Sequence, residues 1–341
     1  MLNIKMMQAF EMEIVNSAPV LSALVETIKQ AGKSKNTYLL CEKQRKMTDS
    51  KLHKTSPNSL GIKELTLPVF FKKLGIKSLM MCNGYDLSSL TKYEFIVLNE
   101  NKCENSWHDI RNDQLIADLH LLFKKCRAIT FNDWTDLVGA SGLLTGLFDD
   151  VIKPLNKSNL DFIFYLDDPG KTLFYQIDNI LQIVSKFGVK GKVTFVLDEF
   201  EAVNLWMVLN GEMPNTTFNI NTPYGLKKKC FSILRTMNIN RLLIYSVNSV
   251  ILFSEDQQFI FARRDFDQIA EIAADARDKF ITGFSFGLLS KLDIQHSIAL
   301  GLIMLGVQTE MNISADTAQL LLYIEKWLAD QDQNNDKYLY Q

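Results

Sequence analysis

Cysteine is scarce and irregularly spaced in this sequence, and no apolar run is long enough to cross a membrane. The five cysteines are Cys41, Cys82, Cys103, Cys126 and Cys230; their number is odd, and no two of them have CxxC spacing. This pattern excludes a cysteine zinc cage and a disulfide framework, and it predicts reduced, mostly structural thiols. A membrane-spanning helix needs roughly 20 apolar residues in succession, and no run here approaches that length.

An excess of charge of either sign is also lacking. The chain has 37 Lys and Arg residues against 39 Asp and Glu residues, a formal net charge of -2. This balance argues against a protein that coats nucleic acid or binds acidic membranes through bulk electrostatics. The first residues, MLNIKMM, lack the basic start, long apolar stretch and cleavage site of a signal peptide. We therefore predict a cytoplasmic protein with neither nucleic acid nor membrane among its partners.

What the sequence does contain is a regular alternation that begins at about residue 124. Short apolar segments alternate with longer stretches whose apolar residues recur at helical spacing. Such an order of strands and helices predicts a parallel sheet with helices on both faces. The predicted strands are 127–132, 161–166, 192–197 and 241–247, and the predicted helices are 137–152, 172–187, 199–209 and 224–237.

Outside this alternation the pattern changes at both ends of the chain. A hairpin-like pair of strands at 250–253 and 258–262 is followed by three predicted helices, 276–290, 294–305 and 314–329. The first hundred residues predict helices at 16–30 and 62–74, strands at 37–43 and 93–99, and a loop at 45–59. Since no repeat or linker interrupts the chain, we predict one domain over 1–331 and a polar C-terminal tail over 332–341.

Carboxylates follow three of the predicted strands. An open parallel sheet binds its ligands beyond the carboxyl ends of its strands, and Mg²⁺ bound to phosphate needs hard oxygen ligands there. An aspartate at such a position is also the commonest N-cap of the following helix, and this alternative stays open for each of them. The residues are Asp133 and Asp136, Asp167 and Asp168, and Asp198 and Glu201.

The segment DARDKFITGFSFGLL, residues 275–289, is similar to the signature of PfkB-type carbohydrate kinases, G-A-G-D-x-F-x-x-G-F-x-x-G-L-L. Other segments resemble the same family in the same order: AGKSKN at 31–36, FNDWT at 131–135, DDP at 167–169 and VLDEFEA at 196–202. The chain is therefore identified as a divergent member of this ribokinase-like family. The signature matches are Asp278, Phe280, Gly283, Phe284, Gly287, Leu288 and Leu289.

The resemblance implies a fold and a reaction. The fold is a three-layer α/β/α arrangement with a mostly parallel sheet and a small β lid, whose strands would fall within 33–43 and 93–105. Relatives often pair through their lid strands, which implies a homodimer. The reaction is ATP-dependent phosphoryl transfer to the hydroxymethyl group of a sugar or nucleoside, with Mg²⁺ and ATP as cofactors. If the chain is inactive, the resemblance implies no cofactor.

The resemblance also assigns roles around the loop that leads into the helix. Asp278 would be the catalytic base that takes the proton from the sugar hydroxymethyl. The backbone N–H groups of Asp275, Ala276 and Arg277 would form the anion hole at the positive end of the helix dipole.

Further roles follow from the other matching segments. Glu201 would organise Mg²⁺, together with Asp198, which replaces the asparagine of the family pattern. Either residue type can contact a hydrated metal ion, so that replacement is mild. The remaining assignments are Asn132 and Asp168 on the nucleotide or phosphate side, and Glu11, Gly61 and Lys63 on the substrate side.

The catalytic loop departs from the family pattern at both of its glycines. Asp275 replaces the first glycine, and its carboxylate would repel a phosphoryl group. Arg277 replaces the second, and its side chain would crowd the close backbone approach that glycine allows, although a guanidinium also suits phosphate. One lost oxyanion donor costs roughly 10²–10³ in rate. The alternative is that Asp275 is an ordinary N-cap and Asp278 an ordinary first-turn acid.

The substrate side departs as well, because only Gly61 remains of the G-G-N segment that would stand at 61–63. Two independent parts of the machinery thus differ from the family. We therefore expect a carbohydrate-kinase homologue with weak or lost catalysis. The alternative is a pseudokinase that binds a ligand or a partner. If the chain is active, its ligands are a sugar or nucleoside and a nucleotide.

Overall fold

The computed structural model describes residues 12–30, 37–42, 78–83, 95–98, 107–132, 140–165, 174–212, 223–246, 249–262, 276–310 and 316–339. Strands within these residues form one sheet in the order β1-β10-β9-β8-β7-β6-β5-β2-β3-β4. They are β1 (Glu13–Ile14), β2 (Thr37–Glu42), β3 (Ser78–Asn83), β4 (Phe95–Leu98), β5 (Cys126–Asn132), β6 (Leu160–Tyr165), β7 (Gly191–Asp198), β8 (Arg241–Tyr245), β9 (Ser249–Ser254) and β10 (Gln258–Ala262).

The sheet is parallel except around β9, which pairs antiparallel with both β8 and β10. This confirms the mostly parallel sheet and the predicted strand pair near 250–262. The strands β5 to β8 come from the alternating part of the chain and are neighbours in the sheet. Helical connections join these parallel strands, as crossovers of this kind require.

The described helices fall mostly where the sequence predicts them. A π-helical turn, Leu147–Ile152, continues α4, and a short 3₁₀ helix, Phe187–Val189, follows α5. No helix in the described ranges is long and apolar enough to cross a membrane. The helices are α1 (Ser17–Lys29), α2 (Trp107–Ile110), α3 (Asp113–Lys125), α4 (Ala140–Gly146), α5 (Phe174–Lys186), α6 (Glu199–Leu209), α7 (Pro223–Met237), α8 (Ala276–Leu289), α9 (Ile294–Glu310) and α10 (Thr317–Leu339).

Each face of the sheet carries its own hydrophobic core. Within β6, Phe162 and Phe164 belong to the core that packs against α3 to α7, whereas Ile163 and Tyr165 belong to the core that packs against α1 and α8 to α10. This division follows from the strand period of two, which points successive side chains to opposite faces. The result is the predicted three-layer α/β/α arrangement.

The segments predicted to supply lid strands, 33–43 and 93–105, contain β2 and β4. Both strands lie in the main sheet: β2 pairs parallel with β5 and with β3, and β4 pairs parallel with β3. The described parts of the two segments are therefore not a separate lid. The sequence pattern missed β3, which lies between them and joins β4 to the sheet. The helix predicted at 62–74 and the loop predicted at 45–59 lie outside the described residues.

The polar tail predicted at 332–341 is helical through Leu339, because it continues α10. Extending an existing helix adds one hydrogen bond for each residue that is fixed, whereas starting a new helix is unfavourable. The polar composition of the segment therefore does not prevent it from following the amphipathic residues before it.

Cys126 and Cys230 are free and fully buried thiols. Burial raises the pKa of each to about 12, with Lys157 opposing the rise at Cys126 and Glu199 adding to it at Cys230. Since the thiolate is the nucleophile, only about 10⁻⁴ of each group is reactive at pH 8. We expect iodoacetamide to leave both cysteines unmodified in the folded protein and to label both in urea, as peptide mass mapping would show. Labelling of the folded protein at the rate of a free thiol would contradict this expectation.

Candidate active-site rim

The carboxyl ends of four neighbouring strands form one edge of the sheet, which we call the carboxyl rim. It consists of Asn132, Tyr165, Asp198 and Tyr245, the last residues of β5, β6, β7 and β8. The strand registers pair Asn132 with Tyr165 and Asp198 with Tyr245. The first turn of α8 lies against this rim, because Arg277 contacts both tyrosines. The first turn of α8, which carries part of the predicted catalytic segment, thus lies at the edge where parallel sheets bind ligands.

Asp198 and Glu201 form a capping box at the start of α6. The carboxylate Oδ1 of Asp198 accepts a hydrogen bond of 2.6 Å from the backbone N–H of Glu201, and the backbone N–H of Asp198 donates to Oε2 of Glu201 at 2.9 Å. The two side chains thereby satisfy backbone donors that the first turn of a helix leaves without partners. Asp198 is the N-cap of α6.

Arg277 reaches back from α8 to Glu201. Its Nη2 forms an ion pair with Oε1 of Glu201, and only 15% of the Arg277 side chain and 5% of the Glu201 side chain are exposed. The Nε group of Arg277 donates to the hydroxyl of Tyr245 at 3.4 Å. The guanidinium carbon lies 5.3 Å from the ring centre of Tyr165, within the range of a cation–π contact. The replacement for the second loop glycine is therefore a buried, paired side chain.

The two tyrosines that hold Arg277 are themselves fixed by packing. Tyr165 and Tyr245 are both buried, and the ring of Tyr245 stacks on Phe280 at a centroid distance of 5.9 Å. Phe280 in turn stacks on Phe284 at 6.0 Å. A continuous row of aromatic rings thus runs from the carboxyl rim along α8. It gives the guanidinium of Arg277 a rigid surface to rest on.

The side chains around Glu201 do not fit a directly coordinated Mg²⁺ ion. One carboxylate oxygen of Glu201 pairs with Arg277, the other accepts from the N–H of Asp198, and Oδ1 of Asp198 is used in the capping box. Among the residues that the structure describes, no three His, Cys, Asp or Glu side chains lie together around a possible metal position. The carboxylates predicted after the neighbouring strands, at 133, 136, 167 and 168, lie outside the described residues.

The remaining predicted site residues divide into two groups. The backbone of Ala276 and Asp278 lies in the first turn of α8, and that of Asn132 ends β5, so all three have main-chain positions at the carboxyl rim. The role of Asp278 as a base stays a prediction. The predicted residues that lie outside the described ranges are Asp275, Asp168, Glu11, Gly61 and Lys63.

Sequence reasoning missed Tyr165 and Tyr245. Each is an aromatic residue at or near the carboxyl end of a predicted buried strand, and such residues usually belong to the core. Both tyrosines are indeed buried in the core, and both also contact the guanidinium of Arg277. Their position at the ends of predicted parallel strands could have indicated a place at the rim. A tyrosine there can bury its ring in the core and still present its hydroxyl group at the ligand-binding edge.

Two glycines of the signature serve the packing of α8 against α9. A Cβ atom at Gly283 would overlap the carbonyl oxygen of Leu300, and one at Gly287 would overlap the backbone and side chain of Ser297. Residues four apart lie on the same face of a helix, so the pair lets α9 approach along one line. Gly301 of α9 has the same role on the opposite helix, because a Cβ there would overlap the Phe280 ring.

We expect Gly283→Ala to destabilise the protein by about 1–3 kcal/mol, the usual cost of forcing an extra group into a packed interior. Gly142→Ala is the matched control, since a Cβ at that exposed position in α4 meets nothing within 4 Å. There the better helix propensity of alanine should give a gain of up to about 1 kcal/mol. Urea unfolding measures both values, and equal effects of the two changes would show that the α8–α9 contact is looser than described.

Comparison with known proteins gives similarity of fold without similarity of sequence. No family model and no curated protein matches the chain. Arabidopsis thaliana ribokinase, solved with ribose and ATP, superposes with a TM-score of 0.52 at 10% identity over 86% of this chain and 99% of that chain. A carbohydrate kinase from Agrobacterium tumefaciens gives 0.52 at 9% identity over 85% and 97%. A PfkB protein from Polaromonas gives 0.50 at 12% identity over 84% and 99%. The chain therefore has the ribokinase-like fold.

Proposed function

We propose that this protein is a divergent PfkB-type carbohydrate-kinase homologue whose phosphoryl transfer is weak or absent, and that it acts by binding a ligand or a partner protein. The ribokinase-like fold and the matching signature in α8 support the descent. One observation carries the loss of catalysis: Arg277 stands in the place of a loop glycine, and its side chain is buried in an ion pair with Glu201. A single domain over 1–331 and a cytoplasmic location belong to the same proposal.

The size of the effect follows from two separate costs. If crowding by the Arg277 side chain keeps a phosphoryl group from one backbone donor of the anion hole, the rate falls by roughly 10²–10³. Moving Arg277 away to admit a phosphoryl group would leave Glu201 as an unpaired buried charge, which costs about 3–5 kcal/mol. Since about 1.4 kcal/mol corresponds to a factor of ten, the second cost is a further factor of roughly 10²–10⁴. The two together are enough to remove useful catalysis.

The second candidate function is an active ATP-dependent kinase that phosphorylates a sugar or a nucleoside. The position of Asp278 in the first turn of α8 favours it, because a base is needed there. The Arabidopsis relative, which was solved with ribose and ATP, also favours it. In this alternative, Arg277 leaves Glu201 when the nucleotide binds and places its guanidinium on the phosphates, a geometry that arginine suits.

Product formation separates the two candidates. The purified chain is incubated with millimolar Mg-ATP and a panel of sugars and nucleosides, and the ADP and phosphorylated products are measured by mass spectrometry. We expect no substrate-dependent product above background. Turnover in the range of about 1–100 s⁻¹, which is typical of kinases, would refute the proposal.

The double change Asp275→Gly and Arg277→Gly locates the defect. If it creates substrate-dependent turnover in an inactive parent, the loop alone was responsible. If it remains inactive while still binding the nucleotide, the departures at 61–63 also contribute.

A further inference from the structure

We infer that the guanidinium of Arg277 supplies the positive charge that a divalent cation would otherwise bring to Glu201, so that Glu201 does not bind Mg²⁺. The inference deepens the proposed function, since it concerns the same rim. It concerns metal binding to the protein without nucleotide, so it can be tested without measuring activity.

Both carboxylate oxygens of Glu201 already have partners. Its Oε1 is paired with the guanidinium of Arg277, and its Oε2 accepts the backbone N–H of Asp198 at 2.9 Å. Only 5% of the side chain is exposed, so solvent does not compete for these contacts. A carboxylate in this state can bind a cation only by giving up a buried partner.

Contacts other than the ion pair also hold Arg277 in place. Its Nε donates to the Tyr245 hydroxyl, and its guanidinium faces the Tyr165 ring. Both tyrosines are buried in the core, and Tyr245 stacks on Phe280, which lies in the same helix as Arg277. The contacting residues lie at the end of β6, at the end of β8, and in α6, which follows β7. Contacts from three neighbouring elements hold the guanidinium in one position. Arginine suits such a site because its planar group stacks on aromatic rings and pairs with carboxylates.

Mg²⁺ loses its water ligands reluctantly and requires near-octahedral oxygen ligands at about 2.0–2.1 Å. At Glu201 it would have to displace the guanidinium or bind beside it, and like charges at short range inside a protein repel strongly. Displacing the guanidinium from Glu201 would leave a buried charge without its partner. This cost lowers the affinity of Glu201 for the competing ion by at least about 100-fold. We therefore expect Arg277 to stay paired with Glu201 when the metal ion is present at millimolar concentration.

Mn²⁺ is a suitable probe, because the electron paramagnetic resonance signal of the free ion reports binding directly. We would compare the wild-type chain with Glu201→Gln, Arg277→Met and the double variant. The wild type should show no Mn²⁺ site that depends on Glu201. Arg277→Met should gain one site with an affinity at least about 100-fold above that of the wild type, and the double variant should lose it again. Arg235→Met, which removes an exposed arginine in the last turn of α7, is the control for net charge and should change nothing.

Two results would overturn the inference. One is a wild-type Mn²⁺ site that disappears in Glu201→Gln; the other is a folded Arg277→Met variant that gains no site. If Arg277→Met does not fold, as circular dichroism would show, the wild type and Glu201→Gln still decide the question. A kinase assay separates this inference from the proposed function. Turnover without a Glu201-dependent metal site would refute only the function, and a metal site without turnover would refute only the inference.

Discussion

Glu201→Gln is expected to lower the free energy of unfolding by about 3–5 kcal/mol, because it leaves the guanidinium of Arg277 buried without its counter-charge. The amide of glutamine can still accept the N–H of Asp198, so the capping box is largely kept and the ion pair is the interaction removed. Arg277→Met should cost a similar amount, since it leaves the carboxylate of Glu201 unpaired. Urea unfolding followed by circular dichroism measures both values.

The double variant, Glu201→Gln with Arg277→Met, decides whether the effect belongs to the pair. It should be much less destabilised than the sum of the two single variants, because replacing both members of a buried pair leaves no isolated charge. The control is Asp149→Asn, which removes the exposed partner of Lys153 at 3.8 Å. An exposed pair four residues apart contributes only about 0.3–0.5 kcal/mol. Additive effects at Glu201 and Arg277, or a single-variant cost as small as that of the control, would contradict the buried ion pair.

Phe280→Ala is expected to cost about 3–5 kcal/mol, the usual range for a phenylalanine removed from a core. The ring is fully buried, stacks between Tyr245 and Phe284, and lies against Gly301 of α9. Its loss would open a cavity between α8 and α9 and remove the support of Tyr245. We therefore also expect the Arg277 side chain to become more mobile, which the ¹⁵N signal of its Nε group would report.

Phe200→Ala is the matched control for that prediction. The residue lies in the first turn of α6, next to Glu201, and 43% of it is exposed. The same chemical change should there cost well under about 1 kcal/mol, as surface substitutions away from special features do. A Phe280→Ala variant as stable as Phe200→Ala would show that the ring row along α8 is not a packed element of the core.

The strands and helices of the second half could be predicted from sequence because their patterns are local. The helix predicted at 199–209 and the strand predicted at 258–262 match α6 and β10 residue for residue. Buried parallel strands read as short apolar runs, and each run here is bounded by polar residues. The first half was harder, because strand pairing is not local: nothing in 37–43 indicates that β2 pairs with β5 and β3.

The start of α8 lies against the carboxyl rim, and the signature had singled out this segment of the sequence; its role as a site stays a prediction. The partner of Arg277 was not visible, because Glu201 lies far away in the chain and had been assigned to a metal ion. Glu201 follows β7, and Arg277 packs against the ends of β6 and β8 on either side of that strand, so only the sheet order brings the two residues together.

The signature itself has two parts with different physical requirements. Phe280, Gly283, Phe284 and Gly287 match the family, and in this structure they stack, or allow α9 to approach closely. The loop positions that differ are those whose backbone would meet a phosphoryl group. Packing constrains the first set whether or not the protein is an enzyme. The resemblance is therefore strong evidence for the fold and weaker evidence for the reaction.

The most direct test of the ion pair at the centre of this account is a crystal structure of the chain grown with millimolar Mg²⁺ and a non-hydrolysable ATP analogue. We predict that Arg277 stays on Glu201, between Tyr165 and Tyr245, and that no metal ion contacts Glu201. A structure in which Mg²⁺ and phosphate oxygens lie at Glu201, with the guanidinium of Arg277 displaced from it, would contradict the account.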